Sequence, residues 1–113
     1  MKVSYEGIGQ WAATFACADA VEGQVVKISG NGEVAPCAAG DRFCGVVLHI
    51  GRDGEACSVA LGGMVTVPYS DSAPALGWTG LAGDGKGGVK AAEGRDYLVV
   101  DVDESGKTVT VKL

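Results

Sequence analysis

The chain has 113 residues, a formal net charge of −5, and 47% hydrophobic and 20% charged residues. This length and composition indicate one globular domain and argue against a disordered chain. The acidic balance and the scattered positions of the nine basic residues argue against nucleic-acid binding, which needs clustered Lys and Arg. No stretch approaches the roughly 18 apolar residues of a membrane-spanning helix. No secretory signal precedes the first turn, so the chain is expected to stay in the cytoplasm where it is made.

The first segment, residues 1–11, carries Tyr5, Ile8 and Trp11 among polar residues and glycines without a clear period. We interpret it as an N-terminal arm that orders on a partner, followed by a single β domain over residues 12–113. Because Trp is enriched at binding hot spots, we take Tyr5, Ile8 and Trp11 as the candidate partner contacts. The alternative for Trp11 is that it covers the core of its own chain.

The stretch from residue 42 to residue 69 predicts three consecutive strands around which the chain is organised. The first is an apolar, β-branched run that ends in GRDG at 51–54, where Asp-Gly predicts a hairpin with a type I′ turn. After the return strand, GG at 62–63 redirects the chain into a third run. Pro68 ends this run or places it at a sheet edge, because proline cannot donate to a strand ladder.

The remaining apolar runs predict further short strands, separated by turn signals at the spacing typical of a sandwich or barrel. In the last pair, the alternation over 108–113 predicts a half-buried strand, with Leu98, Val100 and Val102 on the inward face of its neighbour. The predicted strands are 12–18, 24–28, 33–36, 43–50, 56–61, 64–67, 76–81, 89–90, 96–102 and 108–113. The predicted fold class is therefore all-β, a compact β-barrel or β-sandwich of about nine short strands joined by Gly-rich hairpins.

The thiol and imidazole groups give little sign of chemistry. The four cysteines (Cys17, Cys37, Cys44 and Cys57) and the single histidine, His49, lack the spacing of metal ligands. We interpret the cysteines as buried, reduced thiols that pack as small hydrophobic side chains. Cys44 and His49 fall on opposite faces of one strand, whereas Cys57 and His49 are able to approach across the predicted hairpin. A thiol enzyme built on Cys57 and His49 would still lack a third, orienting group.

Two other patterns are weak signals of a site. The run GDGKGG at 83–88 is superficially similar to a phosphate-binding loop, but no helix follows it, and a hairpin turn is the better interpretation. Asp101, Asp103 and Glu104 form an acidic cluster suited to acid–base chemistry or calcium. Charge at a β-turn more commonly keeps the turn solvated. We predict no catalytic residues, no metal and no cofactor, and therefore no enzyme.

The order and spacing of several short motifs resemble a family of small tailed-phage proteins, the capsid cement or head decoration proteins. The resemblance spans residues 17–113. The matching motifs are EGQVV at 22–26, AAGD at 38–41, GVV at 45–47, VALGGMVTVP at 59–68 and the closing strand at 109–113. The chain departs from the family's pattern at Gly62, where an acidic residue is usual, and in the segment 76–79.

The resemblance implies a non-enzymatic β-barrel or sandwich that binds the outer surface of an assembled phage head and reinforces it. The implied partner is the major capsid protein, and the implied state on the shell is a homotrimer at three-fold positions. The implied location is the exterior of the virion, after synthesis in the bacterial host cytoplasm, with no nucleic-acid or membrane partner. The alternative is a small carbohydrate- or ligand-binding β-domain in which Trp78, Tyr69 and Trp11 provide stacking surfaces.

Overall fold

The structure, a computed structural model, describes residues 10–113. Over this range the chain forms nine strands and no helix, arranged as a closed five-stranded barrel and a four-stranded sheet. The all-β prediction is confirmed. The strands are β1 Trp11–Cys17, β2 Val25–Gly30, β3 Glu33–Pro36, β4 Gly45–Ile50, β5 Ala56–Gly62, β6 Met64–Pro68, β7 Gly77–Gly83, β8 Val89–Asp103 and β9 Thr108–Lys112.

The barrel has the strand order β1-β3-β2-β4-β5 and closes by pairing β5 with β1. The β1–β3 pair is parallel and every other pair of the barrel is antiparallel. Small and β-branched side chains suit the narrow interior of a barrel. The buried residues of this barrel core are Cys17, Val26, Val34, Val47, Cys57 and Val59.

The four-stranded sheet is antiparallel throughout, in the order β6-β9-β8-β7. The chain leaves the barrel for the sheet at Gly63, whose φ of 88° is accessible to glycine at little cost. Pro68 ends β6, and β6 is an edge strand of the sheet, so both outcomes foreseen for this proline occur.

Three strands of the barrel form a wall that is buried on both faces. In each of the pairs 25–26, 46–47 and 59–60, one side chain belongs to the barrel core and the other to the core between barrel and sheet. Successive side chains of a strand point to opposite faces, so a strand covered on both sides reads as a continuous apolar run. This wall, formed by β2, β4 and β5, is what the sheet packs against.

Two aromatic residues fasten the sheet to the barrel. Phe43 precedes β4 and stacks on Tyr97 of β8, with ring centroids 4.6 Å apart and planes at 11°. The Tyr97 hydroxyl donates to the Phe43 carbonyl oxygen at 3.1 Å, and Arg95 lies 4.7 Å from the Tyr97 ring centroid. Burial raises the pKa of Tyr97, so the phenol stays protonated and keeps its donor role.

The predicted type of the β4–β5 turn is wrong. Of Asp53 and Gly54 only Gly54 has positive φ, so the β4–β5 connection is not a type I′ turn, which requires positive φ at both residues. Gly54 N donates to Gly51 O at 3.0 Å, and the Asp53 carboxylate accepts from Glu55 N at 2.9 Å. The side-chain acceptor stabilises a longer loop in place of the tight turn.

The inward face of β8 is also different from the prediction. Tyr97 and Val99 are buried in the core, whereas Leu98 is only half-buried on the opposite face. A register shift between Val99 and Asp101 then restores Val102 to the core side. The predicted alternation assumed an unbroken period of two, which a bulge interrupts. The runs 89–90 and 96–102 moreover belong to one long strand, β8.

Gly45 lies where β4 has no space for a side chain against β5. A Cβ atom at this position would lie 2.1 Å from the Ala60 carbonyl oxygen and 2.8 Å from Val59 Cγ1. These are backbone and packed core atoms, so the strands would have to separate to admit a methyl group.

We therefore predict that Gly45→Ala lowers the free energy of unfolding by about 2–4 kcal/mol, through overpacking of the wall. The measurement is urea denaturation followed by circular dichroism. Gly30→Ala is the matched control, because a Cβ there meets no atom closer than 3.5 Å, and its effect should stay below about 1 kcal/mol. Equal effects of the two substitutions would contradict the close approach.

Candidate functional site

The outer face of the four-stranded sheet carries a row of side chains that crosses all its strands. The register pairs Trp78 of β7 with Leu98 of β8, Leu98 with Lys112 of β9, and Lys112 with Met64 of β6. Their sequence neighbours Tyr97, Val65 and Val111 are buried on the other face, so the row faces away from the barrel. Three strand spacings make it roughly 14 Å long. We call it the outer row.

One end of the outer row is strongly exposed and apolar. Trp78 retains 69% of its accessible surface and Leu76, just before β7, retains 68%. Thr79 Oγ1 donates to the Ala75 carbonyl oxygen at 2.8 Å, which holds the segment entering β7 in place. Large apolar side chains fixed on an ordered edge strand are typical of protein interaction surfaces.

The outer row was not foreseen as a set. The sequence shows Trp78 as an aromatic residue, but its alignment with Met64 depends on the register of three strand pairs. The sequence pattern also places Leu98 on the inward face of β8, so it does not predict Leu98 as a member of the outer row. The signal available in the sequence is the polar and apolar alternation of β9. It correctly places Lys112 and Val111 on opposite faces of that strand.

The predicted partner contacts are only partly covered by the structure. Tyr5 and Ile8 lie outside the described residues. Trp11 begins β1, pairs with Gly62 of β5, and retains 65% of its accessible surface. Its ring lies 3.6 Å from the position that a Cβ of Gly62 would take. Trp11 therefore lies beside a glycine of β5 and is mostly exposed, and its role as a partner contact stays a prediction.

The three aromatic residues considered as carbohydrate-stacking surfaces do not come together. Tyr69 is 6% exposed, and Lys107 Nζ lies 5.7 Å from its ring centroid. Trp11 belongs to the barrel and Trp78 to the far edge strand of the sheet. Only Trp78 remains as an exposed aromatic on the sheet face.

Cys57 and His49 lie on opposite sides of the barrel wall. Cys57 is 2% exposed in the barrel core and pairs with Ile50, whereas His49 pairs with Ser58. The His49 side chain is exposed and lies beside Glu22, with Nδ1 and Oε1 3.5 Å apart. Burial raises the pKa of Cys57 to about 11, so its reactive thiolate is scarce at neutral pH. This arrangement does not supply a nucleophile and base in contact.

All four thiols are free, as the sequence indicated, but they are not equally covered. Cys17, Cys37 and Cys57 are buried, whereas Cys44 is only half-buried. Burial raises the pKa of Cys37 to about 11 and also raises that of Cys44. Among residues 10–113, no three metal-binding side chains come together. In the acidic turn, the Asp103 carboxylate accepts hydrogen bonds from Ser105 Oγ and Gly106 N. These bonds stay within the turn.

The glycine-rich loop 83–88 is a hairpin connection in which a carboxylate side chain already binds two backbone amides. The Asp84 carboxylate accepts hydrogen bonds from Lys86 N at 2.7 Å, Gly88 N at 3.0 Å and Ser70 Oγ at 2.5 Å. A phosphate would need backbone N–H groups such as those of Lys86 and Gly88. The loop also reaches the barrel, because Val25 N donates to the Gly87 carbonyl oxygen at 2.9 Å. Its role in this structure is to tie the sheet to the wall.

A groove of about 500 Å³ lies between the barrel and the edge strand β6. Its described lining includes Gln10, Leu48, Met64 and Thr66, with Glu22 as the ionisable side chain. The Glu22 carboxylate accepts from Ile50 N at 3.2 Å. This lining does not assemble a catalytic or metal-binding group.

Comparison with protein-family profiles found no family that matches the chain, and comparison with curated proteins found no significant match. In the described part of the chain, no helix has the length and apolar character needed to cross a membrane.

The hydrogen bonds that the Asp84 carboxylate accepts lead to a prediction about pH. Burial alone would raise the pKa of Asp84, but the hydrogen bonds from Ser70, Lys86 and Gly88 outweigh it and hold the pKa below the ordinary value of 3.8. A carboxyl group with a lowered pKa in the folded state stabilises the fold above its unfolded pKa. That contribution is lost as the pH falls through the folded pKa.

We predict that Asp84→Asn lowers the free energy of unfolding at pH 7 by about 1–2 kcal/mol. The difference from the unsubstituted protein should shrink as the pH falls below 3.8, because the native carboxyl group then becomes neutral too. Urea denaturation between pH 7 and about pH 2 measures it. Asp101→Asn, at an exposed position, is the control and should change little. A difference that is constant with pH would mean that Asp84 acts through its shape and not its charge.

Proposed function

We propose that this protein is a structural phage protein that binds the outer surface of an assembled head and stabilises the shell. The observation that carries the proposal is the exposed end of the outer row, where Trp78 and the nearby Leu76 lie exposed at the edge of a sheet that packs on a barrel. The resemblance of the chain's motifs to capsid cement proteins supports the same function. The partner is then the major capsid protein, with a homotrimer on the shell.

A rigid β body suits this task for a physical reason. Binding costs free energy wherever loops and side chains become ordered, and Trp78 sits on a strand that pairs with β8 along its length. A ligand that binds only the assembled shell shifts the assembly equilibrium toward that state. Many copies on one lattice add their individual contributions, so modest contacts per copy are sufficient.

The second candidate function is carbohydrate binding at Trp78. Its support is that Trp78 is 69% exposed and that its row includes Lys112, which provides a hydrogen-bond donor near a stacking surface. The buried position of Tyr69 weakens this candidate, since one aromatic ring gives a small platform. A glycan array on the purified protein distinguishes the two candidates.

The experiment that tests head binding is co-sedimentation with heads assembled from the major capsid protein of the phage or prophage that encodes this chain. Heads are tested before and after expansion, and their heat resistance is recorded with and without the added protein. Saturable binding near one copy per capsid subunit, together with increased heat resistance, is the expected result. Absence of binding to both forms of the head would overturn the proposal.

Removing the exposed end of the outer row should weaken head binding selectively. We predict that the double substitution Leu76→Ala and Trp78→Ala raises the Kd for heads at least about 30-fold, as expected for loss of a hot spot of about 2 kcal/mol. The thermal midpoint of the free protein should change little, because both side chains are exposed. Ile28→Ala is the control, since Ile28 is also exposed (55%) but lies on the barrel. Equal loss of binding in the control would place the contact elsewhere.

A further inference from the structure

Two thiols from neighbouring strands meet inside the barrel. Cys17 ends β1, Cys57 lies in β5, and both belong to the barrel core with 8% and 2% of their surface exposed. The Cys17 thiol lies close enough to add to the effect of burial in raising the pKa of Cys57. In the β1–β5 ladder, Cys57 pairs with Phe15, and Cys17 N donates to the Glu55 carbonyl oxygen at 3.0 Å. Cys17 and Cys57 are therefore diagonal neighbours on the inner face.

We propose that Cys17 and Cys57 form an oxidation site, at which a small-molecule disulfide such as oxidised glutathione converts the two thiols into an intramolecular disulfide. This cross-link joins β1 to β5, the strand pair that closes the barrel. It is a property of the isolated chain and does not depend on the surface that the protein binds.

The backbone has to move slightly at this point to form the bond. A disulfide needs Cα atoms about 4.4–6.8 Å apart, and diagonal neighbours on adjacent strands lie near or slightly beyond the upper limit. Cys17 is the last residue of β1, and the chain then bends through Asp19, which has a φ of 61°. The Cys17 thiol also lies 3.9 Å from the Gly54 carbonyl oxygen, in the loop that leads into β5. A strand end beside a loop moves more easily than the centre of a strand.

The chemistry proceeds in two thiol–disulfide exchanges. The more exposed Cys17 thiolate attacks one sulfur of oxidised glutathione, forming a mixed disulfide and releasing one glutathione thiolate. Cys57 then loses its proton and attacks the Cys17 sulfur, which forms the protein disulfide and releases the second glutathione. Two electrons and two protons pass from the protein thiols to the oxidant. Burial raises the pKa of Cys57 to about 11, so the second exchange should accelerate as the pH rises toward that value.

The other two cysteines provide an internal comparison. Cys37 belongs to the core between barrel and sheet and packs against Gly83, whereas Cys44 packs against the barrel core. The wall formed by β2, β4 and β5 separates these two cores. A disulfide between Cys37 and Cys44 is therefore the competing product that the experiment has to distinguish from the Cys17–Cys57 disulfide.

The test is peptide mapping of the oxidised protein, and the sequence makes it unambiguous. Cleavage by trypsin after Lys2, Lys27, Arg42, Arg52 and Lys86 places each cysteine in a different peptide. Dilute folded protein is incubated with oxidised glutathione, its remaining thiols are alkylated, and it is digested without reduction. The expected product joins peptides 3–27 and 53–86 and forms faster at higher pH. Four alkylated or glutathionylated cysteines without a cross-link, or a different dominant pair, would overturn the proposal.

A pair of double variants measures the consequence for stability. In Cys37→Ala with Cys44→Ala, oxidation should raise the thermal midpoint by about 5–15 °C, because the cross-link closes a long loop of the unfolded chain. In Cys17→Ala with Cys57→Ala, the same treatment should leave the midpoint unchanged. If either double variant fails to fold, the peptide map of the unsubstituted protein decides the question alone. An equal rise in both variants would contradict the assignment to Cys17 and Cys57.

Discussion

The burial of one wall of strands on both faces is the constraint on which the rest of this structure depends. Strands β2, β4 and β5 contribute to the barrel core and to the core between barrel and sheet. The apolar run of each of these strands therefore contributes to the packing of both the barrel and the sheet. The same requirement leaves no space at Gly45, where a Cβ would meet the Ala60 carbonyl oxygen. Neither layer can lose this wall without exposing its own buried valines.

Polar contacts at the rim then fix how the sheet lies on the wall. Asp41 accepts from Lys27 Nζ at 2.6 Å and from Ala38 N at 2.9 Å, which orders the connection between β3 and β4. Gly83 N donates to the Asp41 carbonyl oxygen at 2.8 Å, and Asp84 orders the neighbouring hairpin. With its inner face used for packing, the sheet presents its outer face to solvent. That outer face carries Trp78, on which the proposed head contact rests.

Local patterns were sufficient to predict the fold class, because β-branched runs separated by glycine turns leave few alternatives. The alternation of β9 was read correctly because its ladder with β6 is regular from Met64 to Pro68. The prediction of the inward face of β8 is wrong because it assumed an unbroken period of two. The register shift between Val99 and Asp101 depends on the tertiary pairing, which the sequence does not display. The pairing of β1 with β5 that closes the barrel could likewise not be predicted from the sequence.

The candidate site was less predictable than the fold for the same physical reason. Trp78 and Lys112 are 34 positions apart in the sequence and enter one row only through the pairing of both strands with β8. The contact between Cys17 and Cys57 likewise arises from barrel closure and not from spacing. By contrast, the hairpin role of the loop 83–88 followed from the absence of a helix after it, which is a local signal.

Native-state hydrogen exchange tests most directly whether the shared wall makes barrel and sheet one cooperative unit. The amides of Val47 and Val59 report on the barrel, and those of Val109 and Val111 report on the sheet. If the wall couples the layers, all four amides exchange with the same free energy of opening, equal to that of global unfolding. Exchange of the Val109 and Val111 amides at a distinctly lower free energy would show that the sheet opens without the barrel. It would then contradict the description of the sheet as a rigid surface.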